Sequence, residues 1–124
     1  MATSPLIQTQ HSGTVTVLSL TSRCEMIEDA LLEPLGRDLL AAIQEAQHPH
    51  VVLDLSATRF FGSGFIELLL RVWKNLQLRP DSRLALCGLQ EYCREVLEIT
   101  HLDQLWPIVP TVSDAVDAIK TPVA

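Results

Sequence analysis

A chain of 124 residues, 48% of them apolar, is the size of one domain and can fill one core, which excludes an intrinsically disordered polypeptide. The net charge of −6, with only 9 Lys and Arg, offers no basic patch for a phosphate backbone, so no nucleic-acid partner is expected. No apolar run is long enough to span a bilayer. The opening MATSPLIQTQ has neither the basic start nor the apolar core of a signal peptide, so the expectation is a cytoplasmic protein without membrane insertion.

The segments LIQTQ and TVTVLSL flank HSG. Val15, Val17 and Leu20 alternate roughly with Thr14, Thr16 and Ser19, which predicts a hairpin around a glycine-containing turn. From Glu28 to Ala46 the stripe Leu31, Leu35, Leu39, Ala42 or Ile43, and Ala46 has helical spacing. Pro34 lacks an N–H and crowds the preceding turn, so the main helix is predicted from about Pro34, after a short irregular piece. HPH then breaks the chain. VVLDL shows little alternation and reads as a strand buried on both faces of a parallel sheet.

After TRFFGSG comes a helix on which Phe65, Leu68, Leu69, Val72 and Leu76 form the apolar face, with Trp73 off the stripe at the core edge. RPDSR is a turn, and LALC is a strand ended by Gly88. QEYCREVLEI is amphipathic, with Cys93, Val96 and Leu97 inward. LWPIV is a short edge strand that tolerates Pro107, and Ser113 is the expected cap of a last helix carrying Ala115, Val116 and Ile119. The sum is an α/β domain spanning residues 1–124, a mixed sheet with an N-terminal hairpin and about four helices packed on it.

Cys24, Cys87 and Cys93 are widely spaced and form no CxxC pair, so neither a disulfide framework nor a zinc site is expected and they read as small buried hydrophobes. His11, His48, His50 and His101 fall in or near loops, and His48 and His50 around Pro49 read as a solvated turn. No metal and no cofactor are expected. Ser63 sits between Gly62 and Gly64, whereas a nucleophile elbow needs Gly-x-Ser-x-Gly, and no His and acid follow in the order hydrolases use. An enzyme is not expected.

The order hairpin, helix, VVLDLSATRFFGSGFIELLL, RLALCGL, REVLEITHLDQLWPIVPTVSDAV resembles the STAS domain of bacterial anti-sigma-factor antagonists, from about Thr14 to Ile119. Two parts carry the resemblance. One is a strand ending in DLS that leads to a small-residue turn opening an apolar helix. The other is the ending with a T-x-L turn, a short strand and S-x-x-A. The resemblance implies a protein that binds an anti-sigma factor of the serine-kinase type and so promotes sigma-dependent transcription. In that family the turn usually reads Asp-Ser-Ser-Gly or Asp-Ser-Thr-Gly, and its first hydroxyl accepts the phosphate that ends the interaction. A phosphate at a helix start meets free N–H groups and the positive end of the helix dipole.

This sequence departs from that motif. Phe61 stands at the acid, Gly62 at the acceptor hydroxyl, Ser63 at the second hydroxyl and Gly64 at the glycine. Ser63 therefore has three readings: a helix cap, which is favoured, a shifted phosphorylation site, or another ligand contact. Glu25 lies near an acid of the family's preceding loop and either faces the turn or is a solvated loop acid. Thr58 and Arg59 are expected at the surface, Arg59 solvated or paired with an acid of the partner. Phe60 is assigned to the core, and Phe61 to an exposed interface anchor or a place under the first helix turn. The partner-binding candidates are thus Glu25, Thr58, Arg59, Phe61, Gly62, Ser63, Gly64 and Phe65. Alternative functions within the same resemblance are an accessory subunit binding the ATPase of a membrane lipid transporter, and a nucleotide- or anion-binding module.

Overall fold

The computed structural model describes residues 5–120. Residues 1–4 and 121–124 lie outside them, and with them the ends of the expected 1–124 domain. Strands β1 (Ile7–Ser12) and β2 (Val15–Leu20) form the expected hairpin, with Ser12 opposite Val15 and Gly13 at φ 62° in the first position of the two-residue turn. The chain continues through a 3-10 turn (Ser22–Cys24), β3 (Met26–Ile27), α1 (Asp29–Glu45), β4 (His50–Asp54), β5 (Phe60–Phe61), α2 (Ser63–Leu76), β6 (Arg83–Cys87), α3 (Glu91–Ile99), β7 (Ile108–Val109) and α4 (Val112–Lys120).

The main sheet has the order β1-β2-β4-β6-β7, antiparallel between β1 and β2 and parallel elsewhere. β4 lies at its centre. Its Val51, Val52 and Leu53 are fully buried, as their unbroken apolar run requires of a strand covered on both faces. Alternation sends Val51 and Leu53 into a core built with α1, α2 and α3, and Val52 into a smaller one with Val15, Val17, Ala85 and Cys87 beneath Ala115, Val116 and Ile119 of α4. The mixed sheet and four helices are those expected from the sequence.

Pro34 does not mark the start of α1. The helix begins at Asp29 with Pro34 inside it. The first turn closes tightly, with Leu31 N–H donating to the Glu28 carbonyl at 2.9 Å, and Leu31 and Leu32 pack on the core. The carbonyl that the missing Pro34 N–H leaves over belongs to Ala30, an exposed residue, so water can reach it. At the other end α1 has no basic residue in its last turn, and Arg79 supplies the charge from the connection after α2. Its guanidinium donates to the carbonyls of Ile43 (3.1 Å), Ala46 (2.7 Å) and Gln47 (2.9 Å).

α1 and α2 cross closely because Gly36 faces Leu68, where a Cβ would come within 2.8 Å of Cδ1. α4 is capped by Thr111 and not by Ser113. The Asp114 N–H donates to Thr111 Oγ1 at 3.1 Å, since the helix starts at Val112, earlier than its serine suggests. Trp73 lies half-buried at the core edge, as expected, edge-on to the buried Trp106 with ring centroids 6.3 Å apart.

Candidate functional site

The turn that opens α2 is held by the loop before α1. β3 and β5 form a two-residue parallel bridge, Met26 beside Phe60 and Ile27 beside Phe61. The backbone N–H groups of Arg59 and Phe60 both donate to the Glu25 carbonyl, at 2.8 and 3.2 Å. Thr58 completes the tie. It is fully buried, against the expectation of exposure, and its hydroxyl donates to the Cys24 carbonyl at 2.9 Å. In that role the threonine ties the two loops together from beneath the surface. Arg59 and Glu25 are exposed, as expected.

The bridge also settles the two phenylalanines: Phe60, expected in the core, faces out, and Phe61 takes the second of its two expected places, under the first turn of α2. Strand alternation sends Ile27 and Phe61 inward together, and Phe61 is fully buried with its ring centroid 4.9 Å from that of Phe65. Phe60 is turned out and stacks on Tyr92 of α3, centroids 5.6 Å apart and planes 17° from parallel. With Met26 and Tyr92 each about half exposed, Phe60 heads an apolar surface beside the turn. Phe65, named as a contact candidate, is core at 1% exposure.

Ser63 does not cap α2. Gly62 occupies the cap position in extended backbone, and its carbonyl accepts the Phe65 N–H at 3.1 Å without any side-chain cap. Ser63 is the first helical residue and is exposed, with its hydroxyl unpaired among the described residues. The geometry leaves this hydroxyl free for chemistry, because the helix starts one residue before the place that a Ser63 cap implies. The two glycines differ. A Cβ on Gly62 would meet nothing within 4 Å, whereas one on Gly64 would lie 2.5 Å from Leu32 Cδ1 and 3.8 Å from Asp29 Oδ1. Gly64 is there so that the starts of α1 and α2 can touch. Between them lies a shallow pocket of about 440 Å³, lined by Glu28, Asp29, Leu32, Phe60, Gly62 and Ser63 among others.

The acids at the start of α1, and Phe60 with Tyr92, are the site residues that sequence reasoning missed. The pairing of β3 with β5 is the signal that would have found them, and two-residue strands leave almost no periodicity. Asp54 organises the other flank. Its carboxylate accepts the Ser56 N–H at 3.0 Å and the Ser19 hydroxyl at 3.3 Å, so the DLS sequence is a turn device. Gly88 follows β6 at φ 72°, where a Cβ would press on Asp54 Oδ1 at 2.8 Å.

The cysteines are buried and free. Burial pushes the Cys24 thiol up to about 11, a backbone hydrogen bond with Thr21 opposing and the nearby Asp38 adding to the rise. Burial and then Asp54 push Cys87 up to about 12, and burial raises Cys93. All three stay protonated at neutral pH and are poor nucleophiles. His48 is exposed and stacks on half-buried His50, and no group of three or more metal-ligating side chains occurs among the described residues. Among the described residues no helix is long and apolar enough to cross a membrane.

An antiparallel hairpin feeding a parallel sheet, with three helices on one face and one on the other, defines the α/β class to which the anti-sigma-factor antagonists belong. The chain belongs to the STAS domain family, whose model matches residues 7–115. It is 30% identical over 96 residues to BtrV of Bordetella bronchiseptica, a protein named as an anti-sigma factor antagonist, covering 77% of this chain and 81% of that one. An anti-sigma-factor antagonist (STAS) domain protein from Planctomyces limnophilus superposes with a TM-score of 0.84 at 39% identity, covering 93% of this chain and 98% of that one. An anti-sigma factor antagonist from Mycobacterium paratuberculosis shares the fold, with a TM-score of 0.80 at 23% identity over 97% of this chain and 100% of that one.

Proposed function

We propose that this chain is a non-enzymatic regulatory module of the cytoplasm. It binds an anti-sigma factor of the serine-kinase type through the α2 start, and so releases a sigma factor. The observation that carries the reading is the Gly62–Ser63 turn with its exposed serine, set between the apolar Phe60–Tyr92–Met26 surface and the acids of the α1 start. Arg59 and Glu25 lie on the rim of the same surface, while Thr58, Phe61, Gly64 and Phe65 support it from behind. An aromatic flanked by charge is the composition of an interface anchor.

The family's acceptor position is Gly62, which has no hydroxyl. Binding is therefore constitutive unless Ser63 serves instead. Two features bear on that minority route in opposite directions. The Ser63 hydroxyl is free and lies at a helix start, which favours a phosphate. Glu28 and Asp29 line the adjoining pocket, and their charge disfavours one. The same carboxylates weigh against a nucleotide or other anion as the resident ligand.

The test is a pull-down of the native partner, followed by incubation of the complex with ATP and mass spectrometry. The expected result is a complex with an anti-sigma factor that ATP does not dissociate and no phosphate on the chain. Recovery of a transporter ATPase instead would overturn the assignment, and phosphate on Ser63 would overturn constitutive binding.

A further inference from the structure

We propose that the outer edge of β1 is a self-pairing surface, at which a second copy of this chain adds antiparallel to join two sheets into one. Among the described residues no strand lies on the outer side of β1, which ends the order β1-β2-β4-β6-β7. The two-residue turn fixes which groups are free. Ser12 and Val15 flank it and form a hydrogen-bonded pair, so Gln10 and Gln8 also bond to β2. The Thr21 N–H donating to the Leu6 carbonyl at 2.9 Å continues the same parity. Thr9 and His11 fall in the alternate positions, so their N–H and C=O groups point away from β2.

Natural edge strands are commonly blunted by charge, proline or a bulge. β1 has none of these. It reads IQTQHS, without Asp, Glu, Lys, Arg or Pro, and is paired to β2 residue by residue with no bulge. Beside it runs an open groove of about 1020 Å³ between the strand and the end of α1, with Thr9, His11, Thr16, Ala42, Glu45 and Ala46 among its walls. Ala42 and Ala46 are small, so the helix leaves room for the side chains of an added strand.

Charge selects the occupant. The chain carries −6, so two copies repel over most approaches. The uncharged β1 is a place where they meet without opposing charges of like sign, and it carries no charge that would select a charged partner instead. A two-fold axis at Gln10 sets Thr9 of one copy opposite His11 of the other, each pair exchanging both backbone bonds. The α2 start lies at the other end of the strands from the Gly13 turn and plays no part in this contact, so the pairing stands or falls independently of the proposed function.

Sedimentation of the full chain over a range of concentrations tests this. The expected mass rises to twice the 13.8 kDa of one chain, and the amides of Thr9 and His11 become protected from hydrogen exchange as concentration increases. Thr9→Pro removes an outward N–H and no bond to β2, so it returns the protein to monomer with its circular dichroism unchanged. If that variant does not fold, Gln10→Glu sets like charges directly opposite each other on the axis and has the same expected effect on mass. A chain that stays monomeric at every concentration overturns the proposal, whatever else the edge binds. So does a dimer in which the Thr9 and His11 amides exchange freely.

Discussion

Replacing Gly62 by serine restores a hydroxyl at the family's acceptor position, and the structure says what this does to stability. The backbone at Gly62 is extended, with φ −107°, a conformation open to any L-residue, and a Cβ there meets nothing within 4 Å. No steric term opposes the change. Two terms favour it: a serine cap exceeds a glycine cap by a few tenths of a kcal/mol, and loss of a glycine narrows the unfolded ensemble by about 0.4–1 kcal/mol. Together Gly62→Ser stabilises by about 0.6–1.4 kcal/mol, or roughly 2–6 °C in Tm for a chain of this size. Gly64→Ala is the contrast. Its Cβ would press on Leu32 Cδ1 at 2.5 Å and force the α1–α2 contact apart, at a cost of about 1–3 kcal/mol. Differential scanning fluorimetry of both variants reads the difference, and mass spectrometry after incubation with kinase and ATP reads whether the introduced hydroxyl takes phosphate. A lower Tm for Gly62→Ser than for Gly64→Ala would refute the assignment of Gly62 as the open cap and Gly64 as the packing glycine.

Phe61→Ala should cost about 3–5 kcal/mol in urea unfolding, as removal of a fully buried ring does, while Phe60→Ala should weaken partner binding and leave stability within about 1 kcal/mol. Thr58→Val should cost about 1–3 kcal/mol by leaving the buried Cys24 carbonyl without its donor. The raised thiols set an alkaline limit. Below pH 9 both states hold the thiol protons; above it the unfolded chain releases them first, so stability falls as pH rises from 9.0 towards 11 for Cys24 and 12 for Cys87. Urea midpoints measured across that range should fall, and Cys24→Ala should flatten part of the slope. His101 takes a left-handed φ of 62° after α3, so His101→Gly should raise Tm by a few degrees, on the order of 1 kcal/mol of relieved strain, in the same fluorimetry.

The parts of the fold that the sequence announced are those with several turns of periodicity. Phe65, Leu68, Leu69, Val72 and Leu76 repeat at helical spacing and are all buried, and Val51–Leu53 is a strand because nothing in it is polar. What misled lies in segments too short to carry a period. Ser63 follows Gly62 and Ser113 lies two residues after Thr111, each an earlier residue that takes the cap position, so both helices start before the place a serine cap suggests. Pro34 signals a helix start only if its turn has nothing else to hold it, and Leu31 with Leu32 holds it here. Phe60 and Phe61 are chemically identical, so only the bridge to Met26 and Ile27, a contact remote in sequence, decides which one faces out. Gly62 against Gly64 is the same problem, decided by Leu32 of another helix.

The tie between Thr58 and Cys24, with the two N–H groups that share the Glu25 carbonyl, bears on the kinetics of recognition. Loops joined to each other through a fully buried hydroxyl cannot wander separately, so the surface is presented in one shape before any partner arrives. Docking on it incurs little of the ordering penalty of about 0.5–1.5 kcal/mol for each side chain that binding would otherwise immobilise. Encounters then succeed or fail on orientation and charge, and a substitution at Phe60 should lengthen or shorten the lifetime of the complex far more than it changes the rate at which it forms.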